Sequence, residues 1–285
     1  LELLTVKEIL DRTVKHFQKY EIASARLDAE ILLSEILDME RINLYVNFDK
    51  PLTKSEIDKY RQFVIARSKG TPVAYILGSQ EFMSLDFKVT DATLIPRPET
   101  EHLVEVTLDK IKSMDLDRIK VVDIGTGSGA IIVSLTKLAT KKIEAIAVDI
   151  SADALDVAQE NARNHDLLDR IDFRLGSLLE PVSETVDIIV SNPPYIPTSD
   201  IDNLQREVKN EPMTALDGGK DGLDFYRKII NQSVSRLNTG GLIAFEVGIN
   251  QANDVAVLLE NNCFDNIEVI KDYAGIERVI LATRK

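Results

Sequence analysis

Residues 98–285 are predicted to form a mostly parallel, doubly wound α/β sheet, preceded by a small helical domain at 1–80 and a β-hairpin linker at 81–97. Three observations lead to this fold. Short apolar runs rich in branched residues recur near 119–124, 143–149, 171–175, 186–191 and 241–247, with helix-length segments between them. Such alternation places helices on both faces of a parallel sheet. A glycine-rich turn closes the first run and Asn-Pro-Pro-Tyr closes the fourth, and ligands in open α/β sheets bind at those carboxyl edges. Residues 5 to about 80, in contrast, carry helical periodicity and little strand signal.

Taken in order, Thr5 is placed to cap a helix whose apolar positions Val6, Ile9, Leu10, Val14 and Phe17 fall on one face. Ser24 is placed to cap a second helix through Leu37, and Thr53 a third through about Ser68, ended by Gly70. In the linker, Phe82 to Val89 alternates in part, Asp91-Ala92 turns, and Thr93-Leu94-Ile95 follows, a hairpin pattern. Pro98 suits the first turn of the next helix, where Glu99 and Glu101 favour its positive end. Further helices are expected near 98–112, 128–139, 151–164, 221–237 and 249–261, and a terminal strand pair at 266–271 and 277–283.

The 285 residues are 44% hydrophobic and 28% charged, a globular composition. No apolar run is long enough to cross a bilayer, and the first residues, with Glu2, Lys7 and Glu8, lack a signal-peptide pattern. One cysteine, Cys263, excludes an internal disulfide framework and fits a reducing compartment, so a cytoplasmic location is expected. His16, His102 and His165 are scattered, which speaks against a metal site. Residues 1–80 carry twelve Lys and Arg against twelve Asp and Glu, so the whole net charge of −13 falls on the remainder. That part would repel a phosphate backbone, which disfavours a nucleic-acid partner.

The turn Gly125-Thr126-Gly127-Ser128-Gly129 closes the first strand and opens a helix. Glycines there allow a sharp bend and let a ligand approach the peptide groups. Gly125, Gly127 and Ala130 also satisfy a dinucleotide pattern, and Asp149, 24 residues after Gly125, would bond ribose hydroxyls in either case. Asp123 separates the two readings. An acid two residues before the first glycine can accept from an ammonium group, which S-adenosylmethionine has and a nicotinamide dinucleotide lacks. The alternative is a buried carboxylate satisfied by the protein itself.

At Asn192-Pro193-Pro194-Tyr195 the prolines can neither extend the ladder nor relax into a floppy loop. A stiff shelf results. The Asn192 side-chain oxygen and the Pro193 carbonyl would grip the two hydrogens of an –NH2 on a flat group, with Tyr195 stacking on its face. Such nitrogens are poor nucleophiles because their lone pair is delocalised. Two acceptors return density to nitrogen and orient it for in-line methyl transfer, and no strong base is needed beforehand.

With these motifs the chain resembles the class I S-adenosylmethionine-dependent methyltransferases, and more closely the release-factor glutamine methyltransferases of the PrmC/HemK family. Finer matches are Leu94-Ile95-Pro96-Arg97-Pro98-Glu99-Thr100-Glu101, Glu211-Pro212-Met213-Thr214-Ala215-Leu216, Gly218-Gly219 and Asp221-Gly222-Leu223. The resemblance implies a Rossmann-like catalytic domain, a helical domain that recognises substrate, and N5-methylation of the glutamine in the Gly-Gly-Gln loop of peptide-chain release factors. It implies that Gly125 to Gly129 wrap S-adenosylmethionine, that Asp149 holds its ribose, and that Asn192 to Tyr195 hold the glutamine. It places Leu178 near the adenine, although relatives often carry an acid or a bulkier aromatic at 177–178. Phe82 and Arg97 are candidates to close over the site and Glu211 to line it. Two other functions share these residues: a DNA or RNA amino-methyltransferase acting on adenine N6 or guanine N2, and a non-catalytic release-factor adaptor.

Overall fold

The computed structural model describes residues 4–285. The chain divides into two compact units, one ending at Gly78 and including Arg206–Asn210, the other comprising Ser79–Gln205 and Glu211–Lys285.

The first unit contains α1 (Val6–Lys19), α2 (Ala25–Leu37), α3 (Arg41–Val46), α4 (Lys54–Ser68) and α5 (Val73–Leu77). Thr5 and Glu8 form a reciprocal capping box on α1, and Thr53 and Glu56 repeat it on α4. Ser24 precedes α2, but its side chain makes no capping hydrogen bond. Its backbone (φ −91°, ψ 25°) is not the extended form that aims a side-chain oxygen at the first turn. The helices bury Leu10, Phe17, Leu32, Leu33, Leu44 and Tyr60 together, and the Tyr60 hydroxyl donates to the Ala29 carbonyl at 2.9 Å. Arg67 is buried between Asp28 (2.6 Å) and Glu207 (2.5 Å).

The second unit opens with a hairpin, β1 (Ser79–Phe82) and β2 (Leu85–Lys88). Its turn is Met83-Ser84, not Asp91-Ala92, and residues 89–97 contain no strand. Both turn residues are left-handed (φ 52° and 57°), the twist that suits a two-residue hairpin. Neither is the Asn or Gly that announces such a turn. Tertiary contacts hold it: Phe82 and Phe87 pack edge to face in the core, and the Met83 N–H donates to Glu101 at 2.6 Å.

Then follow α6 (Pro98–Ser113), β3 (Arg118–Ile124), α7 (Ala130–Leu138), β4 (Lys142–Asp149), α8 (Ala152–Asn164), β5 (Ile171–Leu175) and β6 (Val186–Ser191). The chain ends with α9 (Asp224–Arg236), β7 (Leu237–Glu246), α10 (Ala252–Glu260), β8 (Phe264–Lys271) and β9 (Glu277–Arg284). The sheet order is β5-β4-β3-β6-β7-β9-β8, with β9 antiparallel to both neighbours and the other pairs parallel. Alternation along β3 sends Ile119 and Val121 into one apolar layer with α6 and α7, and Val122 and Ile124 into the other with α9 and α10. Strand order reverses between β3 and β6, the position at which such sheets open a crevice. Among the described residues no helix is long and apolar enough to cross a membrane.

Candidate functional site

The register sets Ile124 beside Ser191, so the glycine turn after β3 and the shelf after β6 leave the sheet side by side. The Ser191 hydroxyl fastens the two ends by donating to the Ile124 carbonyl at 2.7 Å. A cavity opens there, within the second unit. Of the residues singled out in the sequence, Gly125, Thr126, Gly127, Ser128, Asp149, Leu178, Asn192, Pro193 and Pro194 line it. Asp123, Gly129 and Tyr195 do not.

Gly125 and Gly127 have φ of 71° and 55°, and a Cβ built on either would meet no protein atom within 4 Å. The space beside them is open to a ligand, and their backbone favours glycine. The Asp149 carboxylate is fixed by two N–H donors, Gly127 on Oδ2 and Ser151 on Oδ1, each at 2.9 Å. Each oxygen keeps a lone pair for a hydroxyl. Leu178 is left-handed (φ 52°) on the cavity wall, beside Gly176 and Ser177.

Asp123 is completely buried. Oδ2 accepts from the Thr126 hydroxyl at 2.7 Å, while Oδ1 has no hydrogen-bond partner among the described residues. Burial pushes its pKa up to about 7, the Thr126 hydroxyl and, more weakly, the Ile132 backbone N–H offset part of this, and the Asp149 charge adds to the rise. A cation near Oδ1 would relieve the imbalance. The open glycine cradle, the two-oxygen acceptor at Asp149 and this incompletely satisfied acid fit an adenosyl cofactor bearing an ammonium group.

On the shelf, the Asn192 amide nitrogen donates to the Thr100 hydroxyl at 3.2 Å, and that hydroxyl donates to Glu246 at 2.5 Å. Tyr195 turns its ring into the layer of α9 and α10, and its hydroxyl reaches the other Glu246 oxygen at 3.4 Å. Burial first, and the Glu246 charge second, raise the Tyr195 pKa well above that of a free phenol. The shelf backbone is clamped from behind. Ile196 donates to the Leu216 carbonyl at 3.0 Å and accepts from Gly218 at 2.8 Å, while Gln251 donates to the Tyr195 carbonyl at 2.9 Å. At Gly222 (φ 76°) a Cβ would lie 2.3 Å from that carbonyl, so any side chain there would displace the shelf.

Comparison with known proteins settles the family. Residues 8–78 match the PrmC N-terminal domain and residues 100–209 the methyltransferase small domain. The chain is 43% identical to the release factor glutamine methyltransferase of Geobacter sulfurreducens, over 98% of this chain and 96% of that one. It is 45% identical to that of Clostridium acetobutylicum, over 90% of each. The chain belongs to the release factor glutamine methyltransferases. Solved structures agree on the fold at lower identity: a ribosomal protein L11 methylase from Lactobacillus delbrueckii (TM-score 0.51, 24% identical, 69% of this chain and 84% of that one) and the hMettl16 catalytic domain (0.58, 16%, 82% and 83%).

Several residues of this methyltransferase site escaped the sequence reading. In the sequence Thr100 stands out only as part of a motif and Glu246 not at all, because a strand-end glutamate gives no sign that it will be buried. Buried Asn161 of α8 binds the Ser128 carbonyl (2.8 Å) and both backbone groups of Lys88, tying the glycine turn to β2. The wall is completed by Ile150, Phe225 and Ile229, apolar residues whose spacing reads as core. Glu211 accepts from the Ile95 N–H at 3.0 Å and pairs with Arg97, which lines the cavity. Phe82 packs into the core instead.

Proposed function

We propose that this chain transfers a methyl group from S-adenosylmethionine to the side-chain amide nitrogen (N5) of the glutamine in the Gly-Gly-Gln loop of a peptide-chain release factor. The observation that carries the reading is the facing pair of elements at the sheet's switch point: a glycine cradle with Asp149 on β3 and β4, and a polar shelf at Asn192 and Pro193 on β6. When bound, S-adenosylmethionine would supply an electrophilic methyl carbon on a sulfonium: the N–C bond forms as the C–S bond breaks, S-adenosylhomocysteine leaves, and the methylated nitrogen loses one proton to water. Gly125 to Gly129 offer peptide groups without side-chain obstruction, with Gly129 capping α7 behind the turn. Asp149 holds ribose hydroxyls, Asp123 answers the ammonium charge, and Leu178 contacts the adenine. Asn192 Oδ1 and the Pro193 carbonyl accept the two amide hydrogens of the substrate. Tyr195 stiffens the shelf, through its packing and its carbonyl's bond to Gln251. Orientation of this kind supplies roughly 7–11 kcal/mol in favourable cases, which suits a nucleophile that cannot be deprotonated first. The helical unit recognises the release factor.

The test is mass spectrometry of purified, nuclease-treated release factor incubated with the enzyme and methyl donor. One added methyl on the loop glutamine is expected, and none when that glutamine is alanine. Loss of transfer on nuclease treatment, with methyl found on nucleic acid, would move the assignment to an amino-methyltransferase of DNA or RNA. Binding of release factor without transfer would make it an adaptor.

A further inference from the structure

Asn192 can serve the proposed reaction in one orientation only. Its amide must present oxygen to the substrate –NH2, because nitrogen there would oppose two donors. An isolated amide has little preference between the two, so the discrimination must come from what holds its other end. Nδ2 bonds to Thr100 Oγ1 (3.2 Å), and among the described residues Oδ1 has no protein partner. A threonine hydroxyl alone does not decide the matter, since it both donates and accepts. Glu246 decides it. An ionised carboxylate only accepts, so it takes the Thr100 hydrogen at 2.5 Å and leaves Oγ1 able only to accept from Asn192. The three groups lie on different elements: Thr100 in the first turn of α6, Asn192 after β6 and Glu246 at the end of β7.

Resting on the reading above, we propose that Thr100 and Glu246 form a polarity relay that locks the Asn192 amide with its oxygen toward the substrate. They are positioning residues that act through Asn192: Thr100 stands on the cavity wall beside it, and Glu246 lies behind the wall. The relay has a built-in condition. Glu246 is only 1% exposed, and burial lifts its pKa to about 7. Thr100, Tyr195 and the Arg278 guanidinium on β9 favour its ionised form, while Glu99 on α6 opposes it. The Tyr226 hydroxyl bonds to the Glu246 main-chain carbonyl at 2.8 Å and leaves the carboxylate free. Once protonated, Glu246 can donate to Thr100. The hydroxyl hydrogen is then released toward Asn192, and the amide can present nitrogen to the substrate.

Single-turnover rates and cofactor affinities would be measured across about pH 6 to about pH 8, a window centred on the Glu246 value, for wild type, Thr100→Val, Thr100→Ser and Glu246→Gln. Thr100→Val removes the relay with little change of volume. It is expected to slow transfer by about 10²-fold, the scale of a misoriented reacting group, while cofactor affinity by calorimetry stays unchanged. Thr100→Ser restores the hydroxyl and the rate. In wild type the rate is expected to fall as pH drops below about 7. Glu246→Gln, unable to ionise, is slower at the upper end of that window and loses this fall. Wild-type rate in Thr100→Val, or the same acid-side fall in Glu246→Gln at saturating S-adenosylmethionine, overturns the relay. A wild-type enzyme that methylates no glutamine overturns the functional reading instead.

Discussion

Replacing Asp123 by Asn probes the fold and the cofactor site together. Asp123 is fully buried with one oxygen bonded to Thr126 and the other without a hydrogen-bond partner among the described residues, and its pKa rises from an ordinary 3.8 to about 7. Because the folded value is raised, the unfolded chain releases this proton first. Stability conferred by the neutral acid is complete below about pH 4 and is lost as pH rises to about 7. A rise from 3.8 to about 7 corresponds to roughly 4 kcal/mol. Asn keeps the acceptor for Thr126 and cannot ionise. Urea unfolding at several pH values should therefore show Asp123→Asn gaining on wild type by up to about 4 kcal/mol between pH 4 and pH 8. Glu246 has its own raised value, so both proteins keep a residual slope of the same sign. S-adenosylmethionine should narrow this difference. Asp123 does not line the cavity, so the ammonium charge acts on it through the wall; wild type should release protons on binding near pH 6, and Asp123→Asn should bind more weakly, by less than the roughly 1.5–3 kcal/mol of a direct bond to a charged group. A stability difference that stays flat with pH, or unchanged cofactor affinity, refutes this reasoning.

Other perturbations address separate links. Gly127→Ala puts a Cβ on a residue with φ 55°, at a cost of about 1–2 kcal/mol, and into the cofactor's space; the thermal shift given by S-adenosylmethionine should vanish while the fold persists. Arg67→Met leaves Asp28 buried without its partner, and urea unfolding of the helical unit should register a loss of about 3–5 kcal/mol. Thr5→Ala deletes one half of the α1 capping box and should cost about 1 kcal/mol by the same assay.

The sheet was legible because its central strands are short branched apolar runs, closed by Gly125 after β3 and by Asn192-Pro193 after β6. The cradle and shelf were legible for the same reason, since special backbone needs leave glycine and proline in the sequence. What stayed hidden depends on tertiary placement. The Met83-Ser84 turn has no turn residues and is held by Phe82, Phe87 and Glu101. Thr100 and Asn161 read as ordinary helix residues until the fold brings them against Asn192 and Ser128. Glu246 acquires its character chiefly from burial, which a strand-end position does not announce. The inward turn of Tyr195 comes from packing against α9 and α10, whereas the sequence suggested only an available ring.

The most direct measurement is a crystal structure of the enzyme with S-adenosylhomocysteine and a release factor whose loop glutamine is intact. The account expects the glutamine side-chain nitrogen within hydrogen-bond distance of both Asn192 Oδ1 and the Pro193 carbonyl, on a line with the cofactor sulfur. A glutamine nitrogen bound elsewhere, or Asn192 presenting its own nitrogen to it, would contradict the account.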